Sequence, residues 1–393
     1  MTNTQPRNTA AGLFAPLDDR FFFMSPFKSL ITEGCYRRIS TPALGGDQLD
    51  GEFQQSIAQA MQAARAEGIE RPLVVGAIPF DPASPSSLYV PRQWQFFDKQ
   101  QARQQAARYP DNPLPAVSQT RPLPAKPEFI NMVAAAIEAL RGGTLDKVVL
   151  SRLLDISTAG PADAAQLLAR LVTQNSESYN FHLPLPDGSR LLGASPELLL
   201  RKQGNQLFSQ PLAGSAKRHT DDAGLDAATA RQLLDSTKDR YEHRLVTQAM
   251  NATLQSRCTA LSVPERPECI STSTLWHLAT SIEGQVKDPR DNALSLACLL
   301  HPTPALSGFP HQAAQTLLSQ LEPFDRQHFG GIVGWCDDQG NGEWVIAIRC
   351  GHIQGCQVRL FAGAGIVPDS SPESEWRETG VKLTTMLHAF GMH

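Results

Sequence analysis

Long apolar runs are missing from this chain. No stretch reaches the roughly 20 residues needed to span a bilayer, so no membrane-spanning helix is expected. Charge is sparse as well: Asp, Glu, Lys and Arg make up 19% of 393 residues, the formal net charge is −4 and no basic block occurs. A nucleic-acid-binding surface needs such a block, so that class is excluded. The seven cysteines, at 35, 258, 269, 298, 336, 350 and 356, form no CxxC pair. They predict reduced thiols in a cytoplasmic protein rather than a disulfide framework. The opening segment MTNTQPRNTAAG is polar and has no apolar h-region, which predicts no secretion signal. Neither a Walker A loop nor a dinucleotide fingerprint is present, which argues against nucleotide chemistry. The glycines of LAGSAKR and FAGAGI could still bring backbone N–H groups close to an anion.

What is present is a globular composition, 41% hydrophobic, in a chain long enough for one large core or two to three ordinary domains. Residues 1–90 read as short strands around a helix at 52–66. The Gln-, Pro- and Arg-rich stretch from 98 to 127 reads as an exposed connector, helical at its start. A helix at 127–142, a strand at 146–152 and a helix opened by Pro161 follow. YNFHLPLP, RLLGAS, ELLLRKQ and QLFSQPLA, separated by DG and GN turns, predict an antiparallel meander. A long helix is expected over 224–253. FGGIVGWC, EWVIAIRC and QVRLFAGAGIV predict three strands before a final helix capped at Ser371 with Pro372 in its first turn. Antiparallel strands and long helices in separate runs indicate an α+β fold.

Several polar residues sit where packing alone does not account for them. Glu373, Glu375 and Glu378 crowd the start of the final helix. Glu373 and Glu375 suit unpaired N–H groups of a first turn, which is reason enough for an acid there. Glu375, Glu378 and Lys382 are spaced to share one face, and could instead hold a divalent cation and an anionic ligand. In KDRYEHRLV, Glu242 points along a face with Leu245, Val246 and Ala249, where an uncompensated charge is expensive. Either an arginine pairs with it, or it faces Glu375 and Glu378 across a metal. Oxygen-only donors favour Mg²⁺. Lys147 opens the apolar run VVL and Glu197 lies between GASP and LLL. These are positions for a general base and a general acid, or simply for a strand end. Arg349, flanked by apolar residues, suits bidentate binding of a carboxylate. His277 is either a satisfied core histidine or a donor to substrate, its neighbour Glu283 a supporting residue. His301 reads as positional.

An ordered series of motifs goes further: DKVVLSR, GASPELL, PLAGSAKR, KDRYEHRLV, TLWHLAT, HPTPALSG, FGGIVGW, VIAIRC and LFAGAGIVPDSSPESEWRETGVKL. From about residue 127 to the C-terminus the chain resembles the chorismate-utilising enzymes, most closely the isochorismate synthases of catecholate siderophore pathways such as that of enterobactin. The resemblance implies one chorismate-binding domain over 1–393, with large antiparallel sheets packed around and flanked by helices. Residues 1–126 would be its divergent part and 127–393 its motif-bearing catalytic part. It implies reversible conversion of chorismate to isochorismate, with Lys147 activating water for attack at C2 and Glu197 protonating the departing C4 hydroxyl. Glu242 and Glu378 would be direct Mg²⁺ ligands, and Glu375 would act through water. Gly214 and Ser215 would help hold the ring carboxylate. Arg349, Lys382 and the Gly363, Ala364, Gly365 loop would hold the enolpyruvyl carboxylate, and His277 would orient the C4 side. Functional coupling to an isochorismatase fits this reading, and no glutaminase subunit is expected.

Departures within the resemblance narrow the reaction. Ala213 of PLAG stands where aminodeoxychorismate synthases carry a lysine, and Lys147 stands where anthranilate synthases lack one. Salicylate synthases share both Lys147-like and Glu197-like groups and then eliminate pyruvate, and menaquinone isochorismate synthases run the same reaction, so both stay open. So does a different class, a Mg²⁺-dependent phosphohydrolase or a binding protein without turnover, against which the presence of both Lys147 and Glu197 argues.

Overall fold

A computed structural model describes residues 12–14 and 16–392, so most of the N-terminal segment from which no secretion signal is expected lies outside the described residues. The described residues form one sheet system of 17 strands and a separate sheet of three, Leu212–Lys217, Leu275–Ala279 and Glu268–Ser271, with all paired strands antiparallel. With helices packed on these sheets, the expected α+β class holds.

The long strand Lys147–Thr158 organises the site. Val148 to Ser157 pair with Ile366 back to Gln357, while its first two residues pair with Phe309 and Gly308. Val148, Leu150 and Leu153 feed the larger apolar cluster, which also takes in Phe21, Val75, Trp335 and Trp344. A second cluster lies under the helices Lys99–Ala107, Ala164–Gln174 and Pro372–Ala389. Packing the final helix there brings its first two turns to the same sheet region as Lys147.

Several expected elements differ, each for a local reason. The helix expected over 224–253 is two, Ala223–Asp235 and Thr237–Gln255, because extended Ser236 breaks the run and its hydroxyl accepts from Asp239 N. The connector contains a strand, Val117–Leu123, laid along the end of Lys147–Thr158 as an exposed edge. The helix expected at Pro161 starts at Ala164, capped by Asp163, whose carboxylate accepts from the N–H groups of Ala165 and Gln166. The meander is interrupted: Arg190–Ser195 pairs with Cys350–Gln354 and Leu198–Gln203 with Gly342–Ile346, not with each other. EWVIAIRC is likewise two strands, broken at Arg349, whose φ is +49°. A non-glycine residue in that left-handed region costs roughly 1–2 kcal/mol, so surrounding contacts must hold it there.

Candidate active site

Strand ends and two helices meet at one cavity. Its wall includes Glu197, Gly214, Ser215, Glu242, His277, Arg349, Gly363, Gly365 and Lys382. Nine expected site residues thus come together from seven separate stretches of chain. The apolar part of the wall was not anticipated: Ala305 and Leu306 supply it from the HPTPALSG motif, with Phe329 and Ile348. His301 of that motif instead bonds Pro79 O at 2.9 Å, a positional role as expected. Glu283 is exposed on the Ile282–Val286 strand and supports nothing here. A wider groove of about 760 Å³ runs along the outer face of the Thr237–Gln255 helix. It holds none of the expected residues, nine of which line the smaller cavity.

Lys147 is fully buried, and its Nζ lies 3.0 Å from Glu242 Oε1 without the geometry of a hydrogen bond. The partner expected for Glu242 was an arginine or a metal, and it is this lysine from 95 residues away. Gly365 makes the approach possible, since a Cβ there would sit 2.1 Å from Glu242 Oε1 and 3.0 Å from Lys147 Cε. Glycine is needed at 365 for space rather than for a loop, because Gly363, Ala364 and Gly365 are strand residues paired with Ser151, Leu150 and Val149. Ala364 points to the opposite face, into the core, so of the three only the glycines line the cavity.

Glu197 is held between two strands, and Leu212 N–H donates to its Oε1 at 3.3 Å. Burial pushes its carboxyl up to about 7, against the pull of that N–H and of Lys147 and Arg349. It can therefore keep a proton near neutrality, as an acid must. Ser215 and His277 sit opposite each other in the small sheet, and neither Ser215 Oγ nor His277 Nε2 has a partner. Burial, then the charges of Arg349 and Lys382, hold His277 well below its usual range, so it is a neutral ring. Burial also lowers Arg349, to about 10, which leaves it a cation. Gly214, at φ +80°, lies at the register shift between Leu212 and Ser215 in the strand Leu212–Lys217, where a Cβ would press on Asp239.

The three glutamates expected to bind metal do not form a ready cage, and no cluster of three potential ligands occurs among the described residues. Each carboxylate is turned to a lysine: Glu242 to Lys147, Glu375 to Lys238 at 2.8 Å, and Glu378 to Lys382 at 2.6 Å. Lys382 also donates to Gly363 O at 2.9 Å, which fixes it over the glycine strand. Glu375 lies on the buried stripe with Thr379 and Leu383, and its Oε2 has no partner. Burial, then the charge of Glu378, raise its carboxyl to about 7. Burial works against the Glu378 carboxylate too, but Lys382 outweighs it and holds the group below the ordinary range. Lys238 was missed by sequence reasoning, although it precedes Glu242 by one helical turn. Burial opposes its charge, and Glu375, with Glu242 and Glu378, overcomes this and holds the ammonium above the ordinary lysine range.

A cavity with cationic walls, buried polar atoms lacking partners and an acid that retains its proton, set in this antiparallel frame, defines an enzyme that binds a carboxylated small molecule. The chain matches the chorismate binding enzyme model over residues 86–391 and belongs to that family. It is 56% identical over 375 residues to the isochorismate synthase EntC of Escherichia coli K12, covering 95% of each chain. DhbC from Bacillus anthracis has a crystal structure that matches with a TM-score of 0.88 at 37% identity, covering 96% of this chain and 97% of that one. MenF, the menaquinone-specific isochorismate synthase of Escherichia coli, shares the fold, with a TM-score of 0.81 at 24% identity over 99% of this chain and 93% of that one.

Proposed function

We propose that this chain is an isochorismate synthase that interconverts chorismate and isochorismate and feeds 2,3-dihydroxybenzoate siderophore synthesis in the cytoplasm. One observation carries the division of labour: a buried acid on the cavity wall, raised to about 7, shares that cavity with Glu242, against which the buried Lys147 is set, and with polar atoms that lack partners. Lys147, acting as its neutral amine, takes at Nζ a proton from the water that attacks C2. The ring double bonds shift, and Glu197 gives its proton to the C4 hydroxyl, which leaves as water. The reverse reaction exchanges the two proton roles. Arg349 and Lys382 hold the enolpyruvyl carboxylate, and His277, as a neutral ring, orients the C4 side. Gly214 and Ser215 meet the ring carboxylate. The described strands of the N-terminal part support one working unit over 1–393, since Leu73–Ile78 pairs along Ile332–Asp337.

Glu242, Glu375 and Glu378 fit a divalent cation by chemistry: all are carboxylates, and Glu375 Oε2 is a buried oxygen without a partner. Glu242 and Glu378 would hold Mg²⁺ directly and Glu375 through water. When bound, Mg²⁺ supplies the positive charge that anchors the ring carboxylate. The purified protein, given chorismate and Mg²⁺ without ammonia, should yield isochorismate, and isochorismate should return chorismate, with both mixtures approaching one ratio by chromatography. Salicylate with stoichiometric pyruvate, formed as fast as isochorismate, would make it a salicylate synthase instead. Phosphate release from a phosphorylated substrate, or ligand binding with no turnover, would place it in another class.

A further inference from the structure

Arg152 is a buried cation that the proposed reaction does not use. It lies on the strand Lys147–Thr158, five residues beyond Lys147 and opposite Ala362, and only 5% of its surface is exposed. Burial lowers its guanidinium to about 10, which leaves it charged, yet no carboxylate pairs with it among the described residues. Its partners are on the final helix. Arg152 Cζ sits over the Trp376 ring, 3.8 Å from the centroid, and Nε donates to Thr379 Oγ1 at 2.8 Å. That hydroxyl donates in turn to Trp376 O at 2.8 Å. Phe129 packs against the indole, with ring centroids 5.7 Å apart. Trp376 follows Glu375 and Thr379 follows Glu378, so each contact falls one residue along from a carboxylate assigned to the metal.

We propose that Arg152 is a positioning residue for the reaction, one that fixes the rotation and slide of the Pro372–Ala389 helix against the strand carrying Lys147. It thereby sets the spacing between the proton-transfer lysine and the carboxylates of that helix. The inference rests on the isochorismate synthase reading above. Stability alone does not account for an arginine here. Burying a cation without a carboxylate is unfavourable, and an apolar side chain of similar length would fill the same space. What the guanidinium adds is direction. Its contact over the indole sets the rotation of the helix, and its Nε–H to Thr379 sets the slide along the axis. Arginine holds both directions in one rigid plane, which neither lysine nor methionine does. Misplacing reacting groups by about 1 Å can cost roughly 10²-fold in rate, so a small error in seating this helix is enough to matter.

Arg152→Met, Arg152→Lys, Thr379→Val and Thr379→Ser test this with three readouts. These are the melting temperature, kcat/KM for chorismate, and the Mg²⁺ dissociation constant by calorimetry with an equilibrium mixture of chorismate and isochorismate present. Arg152→Met should melt at or above the wild-type temperature, since it leaves no buried partner charged. Its kcat/KM should nevertheless fall about 10- to 100-fold, and its Mg²⁺ dissociation constant should rise about tenfold. Arg152→Lys should match Arg152→Met in these last two, because it keeps the charge without the planar fork. Wild-type values in either variant would overturn the proposal, as would a loss of activity that only tracks a lower melting temperature. Should Arg152→Met not be obtained in soluble form, the threonine pair decides. Thr379→Val removes the acceptor and should weaken both kcat/KM and Mg²⁺ binding, while Thr379→Ser keeps them. Equal values in those two would overturn the proposal. A wild-type protein that leaves chorismate unconverted would refute the enzymatic reading itself. One that converts it while Arg152→Met keeps wild-type kcat/KM and Mg²⁺ binding would refute only the role of Arg152.

Discussion

Arg326 and Glu322 form one buried ion pair, Lys147 and Glu242 another, and the strand Lys147–Thr158 touches both. The first pair is saturated. Arg326 bonds Glu322 at 2.8 and 2.6 Å and the carbonyls of Leu306 and Val149 at 2.7 and 2.6 Å. Glu322 in turn accepts from Ser151 N at 2.7 Å. The second pair has a single 3.0 Å contact, and its ammonium lacks a hydrogen bond. Two ion pairs that meet one strand a few residues apart are thus treated in opposite ways. Where every nitrogen and oxygen of the pair has a partner, the pair holds a loop to the sheet. Where donors are left open beside a cavity, the site is arranged for something that arrives later.

The comparison breaks most severely at the saturated pair. Arg326→Met should cost about 3–5 kcal/mol of stability, because Glu322 is left charged and buried, and urea unfolding would measure it. Lys147→Met should lose less stability, since Glu242 borders a cavity that water can enter. Its kcat should nevertheless fall by roughly 10²-fold or more, as should that of Glu197→Gln, with chorismate binding largely kept. Equal destabilisation of Arg326→Met and Lys147→Met, with activity lost only through unfolding, would erase the distinction.

Gly365→Ala sharpens it. The added methyl group must displace the Glu242 carboxylate, so kcat/KM should drop by about 10²-fold with little change in melting temperature. The smallest effect is in pH dependence. In the proposed role Glu197 acts in its protonated form, so kcat should decline as pH rises past about 7, and that limb should vanish in Glu197→Gln. Stability follows the same proton. The folded carboxyl lies above its ordinary value of 4.5, so the native state holds more protons between about 4.5 and about 7, and stability falls as pH rises through that window. Glu197→Gln should therefore gain in melting temperature relative to wild type on going from pH 5 to pH 8.

Much of this site was legible in the sequence because its residues stand in unusual company: Lys147 before VVL, Glu242 on an apolar helix face, Glu197 between two strands. The α+β class followed from turn dipeptides and alternating runs, which are local signals. Pairing was not legible. The lysine partner of Glu242 comes from a distant strand, and a carboxylate does not specify which cation will meet it. The break at Ser236 had a local signature, a serine three residues before an acid, yet helical periodicity on both sides concealed it. The break at Arg349 had none, since arginine carries no preference for positive φ. Lys238 could have been found from its one-turn spacing to Glu242, but only its contact with Glu375 gives that spacing a meaning.

The central claim is that the open end of the strand Lys147–Thr158 delivers water to C2 while Glu197 removes the hydroxyl at C4. Conversion of chorismate in ¹⁸O-labelled water, followed by mass spectrometry of isochorismate after a single turnover, tests it directly. The account predicts one solvent oxygen per molecule, located at C2. Isochorismate that carries no label, its hydroxyl having moved within the substrate, would contradict it.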